Sequence, residues 1–447
     1  MEKFDVTVVG AGTAGCIAAK TLASAGFKVC LVDRKEARSI GDKVCGDAIG
    51  KHHFDNLDLT YPKGDELEGV ISGVKIYSPD LETVFHISGE GLTGFMVNRY
   101  IFGQRILKEA VNAGAVLVDS THVLEPIIEN GFVKGVRAKR VKDNSKTILR
   151  GEVTVDASGV SATLRSKMPL EMGITQRISP EDLAICYREI RELREEVSEP
   201  DILKIYLDLK VAPGGYYWIF PKKGLKVNVG LGVAAVKGSP NPKGQFYGHV
   251  LSLPLFEGSK ALHGGGGYVP TRRPLDSFVG NGIVVIGDAA CQANPIHGGG
   301  IGPSMTGGKM AGEVISKVLE ASDPTVENLW PINVRYMRAY GSKQAGLDVF
   351  RLFLQSLANE DLNYGMKYRL IKEEDVLAAS MGDDIHLNIT DVVTRVFKGL
   401  GRLTLLRRLR KMAEKSKRVK ALYGKYPEKP EELPSWKVEV DKIFGKE

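Results

Sequence analysis

A glycine-rich turn near the amino terminus constrains the fold of this chain more than any other feature. Gly10, Gly12 and Gly15 form a GxGxxG pattern that follows an apolar, strand-like segment and opens a segment rich in helix formers. Asp33 ends the next strand-like segment, so residues 4–35 predict a βαβ unit. In such a unit the first glycine makes the tight turn, the second leaves room for a pyrophosphate and the third lets the helix pack on the sheet. The pattern predicts a Rossmann-type dinucleotide site, with phosphate at the helix N-terminus and a ribose on the acidic side chain.

The pattern of apolar residues changes along the rest of the chain and indicates further units. Residues 59–95 and 171–275 alternate between apolar and polar, the period-two pattern of a largely antiparallel sheet. Residues 280–320 return to an apolar strand, a glycine loop and a helix. We therefore predict three units: a discontinuous dinucleotide-binding domain (1–58, 96–170 and 276–345), an inserted substrate domain (59–95 and 171–275) and a C-terminal helical domain (346–447).

Composition excludes several other classes of protein. No apolar run reaches the roughly 18 residues that a membrane-spanning helix needs, and the acidic start of the chain does not resemble a secretion signal. The five cysteines contain no CxxC pair, which argues against a metal site or a disulfide framework and favours the cytoplasm. The net charge is +7, but residues 398–425 hold eleven Lys or Arg and one acid. That net +10 leaves about −3 for the rest of the chain, so nucleic-acid binding is not expected.

Later segments resemble motifs of flavoprotein hydroxylases and favour FAD over NAD. Residues 157–165 (ASGVSATLR) are similar to their "DG" region, and residues 282–288 (GIVVIGD) to their "GD" motif, whose aspartate holds the ribityl chain. The resemblance also places an arginine, Arg99 here, near the flavin, and the loop at 295–300 along the isoalloxazine edge. Together with the first glycine turn, these motifs imply FAD contacts at Gly10, Gly12, Ala14, Gly15, Asp33, Arg34, Arg99, Gly287, Asp288, Pro295, Gly299, Gly300 and Ile301. The CGD element described next implies three more, at Cys45, Gly46 and Asp47.

Three more segments identify the chain as a member of the geranylgeranyl reductase family. Residues 213–221 (PGGYYWIFP), followed by Gly-Leu-Gly at 230–232, resemble the YxWxFP…GxG signature of that family. Residues 45–47 (CGD) and 269–274 (VPTRRP) resemble two of its other elements, and the similarity is strongest to archaeal members that saturate the isoprenoid chains of ether lipids. The resemblance implies an α/β fold like those of glutathione reductase and p-hydroxybenzoate hydroxylase, with an FAD-binding Rossmann domain, an inserted, mainly antiparallel sheet and a C-terminal helical region.

The aromatic residues of the signature form a candidate binding wall. Tyr216, Trp218 and Phe220 point to one face if the segment is a strand, and such a wall suits a polyprenyl chain, whose burial contributes roughly 0.8 kcal/mol per CH₂. The alternative is an ordinary core strand. His297, beside the flavin loop, is a further candidate for substrate contact or for packing. Arg272 and its neighbour Arg273 suit either a phosphate head group or pairing with acids.

The expected reaction adds a hydride from reduced FAD and a proton to each double bond of a geranylgeranyl chain. The family motif places Cys45 beside the flavin, where its thiol shapes the pocket or relays a proton, and a buried structural cysteine is the alternative. The sequence contains no second GxGxxG unit, so the electron donor is expected to bind transiently, and ferredoxin, NADPH and reduced deazaflavin all remain open. Competing functions are a flavin monooxygenase of the aromatic-hydroxylase type and a non-catalytic flavoprotein that carries prenyl lipid or electrons.

The basic stretch near the C-terminus has two interpretations. A helix here would carry apolar residues on one side and cations around it, which suits peripheral binding to an anionic lipid surface; the apolar residues are Leu403, Leu405, Leu406, Leu409 and Met412. The same pattern suits a solvated helix that packs on its own domain. The sequence leaves both open.

Overall fold

The computed structural model describes residues 3–89, 92–381 and 402–445. Within these ranges the strands form three sheets, of eight, seven and three strands. Helices cover the largest sheet and make up the C-terminal region. The predicted fold class, an α/β Rossmann domain with an added antiparallel sheet and C-terminal helices, is confirmed.

The eight-stranded sheet contains the predicted βαβ unit. Its strands are β1 (Lys3–Val9), β2 (Val29–Val32), β8 (Val116–Val118), β9 (Thr121–Glu129), β10 (Phe132–Arg140), β11 (Lys146–Asp156), β17 (Val279–Gly280) and β18 (Ile283–Val285). Strands β18, β11, β1, β2 and β8 lie side by side in that order and run parallel. β2 and β18 are apolar and buried along their length, and β1 is buried from Val6 onward, as strands covered on both faces must be.

The seven-stranded sheet contains both the segment with alternating apolar residues and the aromatic segment of the family signature. Its strands are β5 (Gly73–Tyr77), β6 (Val84–Ser88), β12 (Leu183–Glu192), β13 (Ile202–Tyr206), β14 (Tyr216–Pro221), β15 (Lys226–Ala234) and β16 (Lys260–Pro270). Their order is β16-β12-β15-β14-β13-β5-β6, and every pairing except that of β13 with β5 is antiparallel. Val227, Val229, Leu231 and Val233 share one buried face, which packs against Phe246 and Val250.

The three-stranded sheet joins segments from both sides of a predicted boundary. Its strands are β3 (Ala48–Gly50), β4 (Leu67–Ile71) and β7 (Gly94–Val97), in the order β3-β7-β4. β3 comes from the first predicted segment of the dinucleotide-binding domain and β4 from the predicted substrate domain. The division of the chain into three units therefore stays a prediction, and this small sheet lies where two of those units would meet.

Twelve α-helices are present in the described ranges. They are α1 (Thr13–Ser24), α2 (Lys51–Leu57), α3 (Arg99–Asn112), α4 (Pro242–Gln245), α5 (Ile301–Ala321), α6 (Val326–Leu329), α7 (Pro331–Tyr336), α8 (Ser342–Gln355), α9 (Asn359–Lys367), α10 (Glu373–Met381), α11 (Leu403–Gly424) and α12 (Leu433–Phe444). No helix in the described part of the chain combines the length and apolar character needed to cross a bilayer.

Helix α5 lies directly against α1 because glycines stand at the contact. A Cβ atom on Gly308 would be 2.5 Å from the carbonyl oxygen of Ala14, and one on Gly312 would be 3.3 Å from that of Ala18. Backbone therefore meets backbone along the two helices. Since α1 begins at the first glycine turn and α5 begins at the second glycine loop, this contact brings the two loops to the same edge of the sheet.

The basic stretch of the C-terminal region forms helix α11, which packs against α8. Leu405, Leu409 and Met412 are between 3% and 5% exposed, so the apolar side of the helix is covered by the protein itself. The interpretation as a packed, solvated helix is the one that the structure supports, since Leu403 alone of the five predicted apolar residues is mostly exposed. Arg407, Arg410 and Lys417 lie on its exposed side, and Lys398 of the predicted stretch falls outside the described residues.

Replacing Leu409 by alanine tests this packing. We expect Leu409→Ala to lower the free energy of unfolding by about 2–5 kcal/mol, because it leaves a cavity in the core. Leu403→Ala in the same helix is the control. Since Leu403 is 54% exposed, the expected change there is within about 0.5 kcal/mol. Urea unfolding followed by circular dichroism measures both, and equal effects would contradict the packing.

Candidate active site

The first glycine turn has no room for side chains. Gly10 has a φ of +103°, and a Cβ there would be 2.4 Å from the carbonyl oxygen of Ala157. A Cβ on Gly15 would be 1.9 Å from the carbonyl oxygen of Gly10. The turn is thus held between β1 and the segment after β11, the segment that resembles the "DG" region. Asp33 accepts hydrogen bonds from the backbone N–H groups of Ala11 (2.7 Å) and Lys35 (2.8 Å), so its carboxylate lies at the base of the turn.

Two cations meet above Gly12, at the N-terminus of α1. Lys43 Nζ lies 2.9 Å from the position that a Cβ of Gly12 would take. Arg99, which begins α3, donates from Nη2 to Thr13 Oγ1 at 2.9 Å. Arg99 Nη1 is buried and has no hydrogen-bond partner among the described residues. An unpartnered guanidinium nitrogen, a lysine and a helix N-terminus together make a site for an anion such as a pyrophosphate.

The second glycine loop is shaped by its own hydrogen bonds. The backbone N–H of Asn294 donates to the carbonyl of Gly299 at 3.0 Å, and Asn294 Oδ1 accepts from the N–H of Ile296 at 2.8 Å. Asp288 lies behind the loop, and a Cβ on Gly300 would be 3.1 Å from its Oδ1. Ile301 then begins α5, a helix of 21 residues. The positive end of this long helix therefore faces the loop that is predicted to follow the flavin edge.

Side chains of the loop after β2 and of the segment around the second glycine loop lie around one accessible space, which we call the cavity. Lys43, Cys45, Asp288 and His297 all keep accessible surface, yet the surrounding protein shifts their pKa values as burial does. Burial lowers the pKa of Lys43, raises that of Asp288, and lowers that of His297 to about 4. Burial and the nearby Asp47 raise the pKa of Cys45. At neutral pH His297 and the Cys45 thiol are therefore uncharged.

These residues fit an FAD molecule. The cation pair over Gly12 suits the pyrophosphate, the carboxylates of Asp33 and Asp288 suit the ribose and ribityl hydroxyls, and the loop before Ile301 suits the flavin ring. Of the other predicted contacts, Ala14 and Pro295 are buried beside these loops and Arg34 is exposed next to Asp33. The individual contacts stay predictions. Lys43 was missed by the sequence analysis, and its position two residues before Cys45 is the signal that could have found it.

The loop that carries Cys45 is clamped from the seven-stranded sheet. Arg188 of β12 donates from Nε to the Cys45 carbonyl (3.1 Å) and from Nη2 to the Lys43 carbonyl (3.0 Å). Asn228 of β15 donates from Nδ2 to the same Cys45 carbonyl at 2.8 Å. The backbone N–H of Asp47 donates to Cys45 Sγ at 3.3 Å. The loop is thus fixed by its carbonyls, while its Lys43 and Cys45 side chains point into the cavity.

Asp47 anchors the far end of this loop. Its φ is +63° and it is 1% exposed. Its Oδ2 accepts from Lys222 Nζ at 2.8 Å and from Asn228 Nδ2 at 2.9 Å, and Lys222 also pairs with Glu68 at 2.6 Å. The carboxylate of this predicted FAD contact is therefore engaged with side chains of the second sheet. The neighbouring Gly46 lies under the aromatic wall, since a Cβ there would be 3.3 Å from the Phe220 ring.

The three aromatic residues share one face, as predicted. Ring centroids are 5.9 Å apart for Tyr216 and Trp218 and 6.1 Å apart for Trp218 and Phe220. Trp218 and Phe220 are each 7% exposed and pack in a small core with Ile71. Tyr216 keeps accessible surface and donates from Oη to the carbonyl of His297 at 2.8 Å. Each of the two interpretations, core strand and binding wall, therefore describes part of this strand. Trp218 and Phe220 belong to the core, and Tyr216 borders the cavity.

Arg272 and Arg273 do not face this cavity. They are 1% and 2% exposed, and their guanidinium groups pair with Asp182 (3.6 Å) and Asp276 (3.4 Å). Of the two roles considered for them, pairing with acids is the one that the structure contains. A phosphate head group would have to be bound elsewhere.

The fold and the cavity define an FAD-binding flavoprotein oxidoreductase. Residues 5–168 match the family Glucose inhibited division protein A, and residues 182–269 match the family Geranylgeranyl reductase catalytic domain. A geranylgeranyl bacteriochlorophyll reductase-like protein of Thermoplasma acidophilum shares the fold, with a TM-score of 0.77, 21% identity, and coverage of 92% of this chain and 100% of that one. A flavin-dependent brominase shares it with a TM-score of 0.66, 18% identity, and coverage of 89% and 100%.

Sequence relatives then specify the family. The chain is 45% identical over 444 residues to the digeranylgeranylglycerophospholipid reductase of Sulfolobus acidocaldarius, covering 99% of this chain and 97% of that protein. It is 33% identical to the enzyme of that name from Methanothrix thermoacetophila, covering 84% and 93%. This chain belongs to the digeranylgeranylglycerophospholipid reductase family, as the signature segments predicted.

The role of Lys43 can be measured through the affinity for FAD. We expect Lys43→Met to raise the Kd for FAD about tenfold, roughly 1.4 kcal/mol, because a charge-assisted contact with the pyrophosphate is lost. Lys63→Met removes an exposed lysine outside the cavity and serves as the control. Titration of the apoprotein by flavin fluorescence gives both constants. A Lys43 variant that binds FAD as tightly as the control would remove this residue from the site.

Proposed function

We propose that this protein saturates the double bonds of the geranylgeranyl chains of digeranylgeranylglycerophospholipid. One observation supports this most directly: Tyr216 donates to the carbonyl of His297 in the predicted flavin loop, and Gly46, next to Cys45, packs under Phe220 of the same aromatic strand. That arrangement suits an apolar alkene, because the aromatic strand lies between the Cys45 loop and the predicted flavin loop. Family membership, at 45% identity over 99% of the chain, supports the same substrate class.

When bound and reduced, FAD supplies the hydride equivalent for the alkene. The protein's own residues then have three tasks: to hold the cofactor, to hold the isoprenoid chain of the substrate and to control the proton that is added. Cys45 keeps its proton on Sγ at neutral pH, since burial and Asp47 raise its pKa. The N–H of Asp47 and the clamp on the Cys45 carbonyl orient this thiol. His297 is neutral, so it places no charge beside the apolar substrate.

A reductase also requires an electron donor. We infer that the donor docks transiently, since the described fold contains one Rossmann unit and that unit is assigned to FAD. Ferredoxin, NADPH and reduced deazaflavin are the candidates. We further propose that exposed cations of α11, such as Arg407 and Arg410, hold the protein against an anionic membrane surface by charge alone, because the apolar side of the helix is buried.

Product analysis tests the proposed activity. Protein reduced with dithionite and incubated without oxygen with digeranylgeranylglycerophospholipid should yield lipids that gain the mass of two hydrogen atoms for each double bond. Mass spectrometry measures this gain, and geranylgeranyl diphosphate in a parallel reaction tests the smaller substrate. A hydroxylated product that needs oxygen would favour a monooxygenase instead. Bound lipid without any change in mass would favour a carrier.

The contribution of Cys45 is tested in the same assay. We expect Cys45→Ala to lower turnover about a hundredfold, the lower end of what a positioned proton-transfer group contributes. Cys45→Ser, which keeps a proton at this position, should retain more activity than the alanine variant. Cys30→Ala, a buried cysteine in β2 away from the cavity, is the control for loss of a thiol. Full activity in both Cys45 variants would exclude the thiol from the reaction.

A further inference from the structure

One row of residues across the seven-stranded sheet is almost free of large side chains. Tyr216 of β14 lies opposite Gly232 of β15, Gly232 lies opposite Cys186 of β12, and Cys186 lies opposite Gly267 of β16. Residues that are directly opposite in antiparallel strands project to the same face. The row therefore runs from the aromatic wall to the edge strand, and between Tyr216 and that edge the Cys186 thiol is its one side chain. All four residues keep accessible surface.

The row beside it is closed by the Cys45 loop. That row consists of Trp218, Gly230, Arg188 and Gly265. The Trp218 ring covers Gly230, since a Cβ there would be 2.6 Å from Trp218 Cζ2, and Val44 covers Gly265, with its Cγ2 2.8 Å from the corresponding position. Arg188 is 3% exposed because it is bonded to the loop. The loop thus forms one wall of a trough.

The flavin loop borders the other side. The next row in that direction contains Ala234, Ala184 and Val269, and a Cβ on Gly298 would be 3.5 Å from Val269 Cγ1. The hydroxyl of Tyr216 closes the inner end by its bond to His297. The open row is therefore bounded by the Cys45 loop on one side and the second glycine loop on the other.

The dimensions and chemistry of this trough suit an apolar chain. Three gaps between four strands, at about 4.8 Å each, make it roughly 14 Å long. No charged side chain lies on its floor, and burial raises the pKa of Cys186 to about 12, so that thiol is neutral. The trough ends at β16, which is the terminal strand of the sheet and is largely exposed. It therefore connects the protein surface with Tyr216 and the Cys45 loop.

We propose that this row is the channel through which the isoprenoid chain enters, passing over Gly267 and Cys186 to reach Tyr216 and the flavin loop. The inference rests on the proposed function and adds the path and the two positions that control its width. It makes Cys186 and Gly267 substrate-binding residues, although neither belongs to the segments that resemble the family signatures.

Enlarging either position tests the channel. A Cβ on Gly267 would have no atom within 4 Å, so Gly267→Leu adds bulk to the trough without a clash in the fold. Gly248→Leu is the matched control, because Gly248 also has no neighbour within 4 Å and lies in the helical turn on the opposite face of the sheet. Cys186→Phe fills the middle of the trough. FAD content and reoxidation of the reduced flavin by oxygen, neither of which needs lipid, report on folding.

We expect Gly267→Leu and Cys186→Phe to lower the rate of lipid saturation about tenfold or more, with FAD content and reoxidation unchanged. Gly248→Leu should stay within about twofold of wild type. Active wild-type protein together with fully active Gly267→Leu and Cys186→Phe variants would overturn the channel. Perturbation of the flavin spectrum by digeranylgeranylglycerophospholipid gives a binding constant that does not depend on turnover.

The binding measurement separates failure of the channel from failure of the proposed function. Wild-type protein that binds the lipid but does not saturate it would overturn the reductase activity, and weaker binding by Gly267→Leu would still support the channel. Equal binding by wild type and Gly267→Leu would overturn the channel alone. A wild-type protein that neither binds nor saturates the lipid would overturn both.

Discussion

The clamp on the Cys45 loop is the interaction on which the site depends. Arg188 and Asn228 reach from the seven-stranded sheet to the carbonyl of Cys45, and Arg188 also holds that of Lys43. Hydrogen bonds to buried carbonyls are costly to leave unmade, so a loop fixed by three of them has little freedom. From this loop Lys43 Nζ reaches the N-terminus of α1, and Cys45 keeps accessible surface. One set of hydrogen bonds thus fixes the positions of the Lys43 ammonium group, the Cys45 thiol and one wall of the trough.

Next to this clamp lies a buried network of charged side chains, which fixes the relative positions of the elements around it and adds little to stability. Asp47, Lys222 and Glu68 are paired with little exposure, and Asn228 connects them to Trp218 through a bond of 3.0 Å to the indole nitrogen. Buried ion pairs contribute little net stability, since desolvation offsets their attraction. Removing one member would leave an unpaired charge below the Cys45 turn. The network therefore links the aromatic strand, the loop and the small sheet into one rigid support.

The two glycine loops and the sheet between them explain how one cavity serves a polar cofactor and an apolar chain. Cations, carboxylates and helix N-termini gather at the end formed by α1 and α5. The opposite side is built from rows of the β-sheet that contain glycine, alanine and cysteine, whose side chains are small and carry no charge. The neutral state of His297 and the protonated state of Cys45 add no charge of their own at the boundary between the two regions. A flavin ring at this boundary would contact both.

The sequence by itself determined the Rossmann unit, the FAD class, the antiparallel second sheet and the family, because these depend on local spacing. Glycine turns, period-two alternation and short signature segments can each be recognised within a few consecutive residues. Tertiary structure alone decided which residues complete the site: Lys43 meets Arg99 across a cavity, and Arg188 meets a carbonyl 143 positions away. It also decided that α11 packs inward, that Arg272 is buried against acids, and that Gly232, Cys186 and Gly267 form one row. Strand register and long-range hydrogen bonds fix such relations, and neither is encoded in the spacing of neighbouring residues.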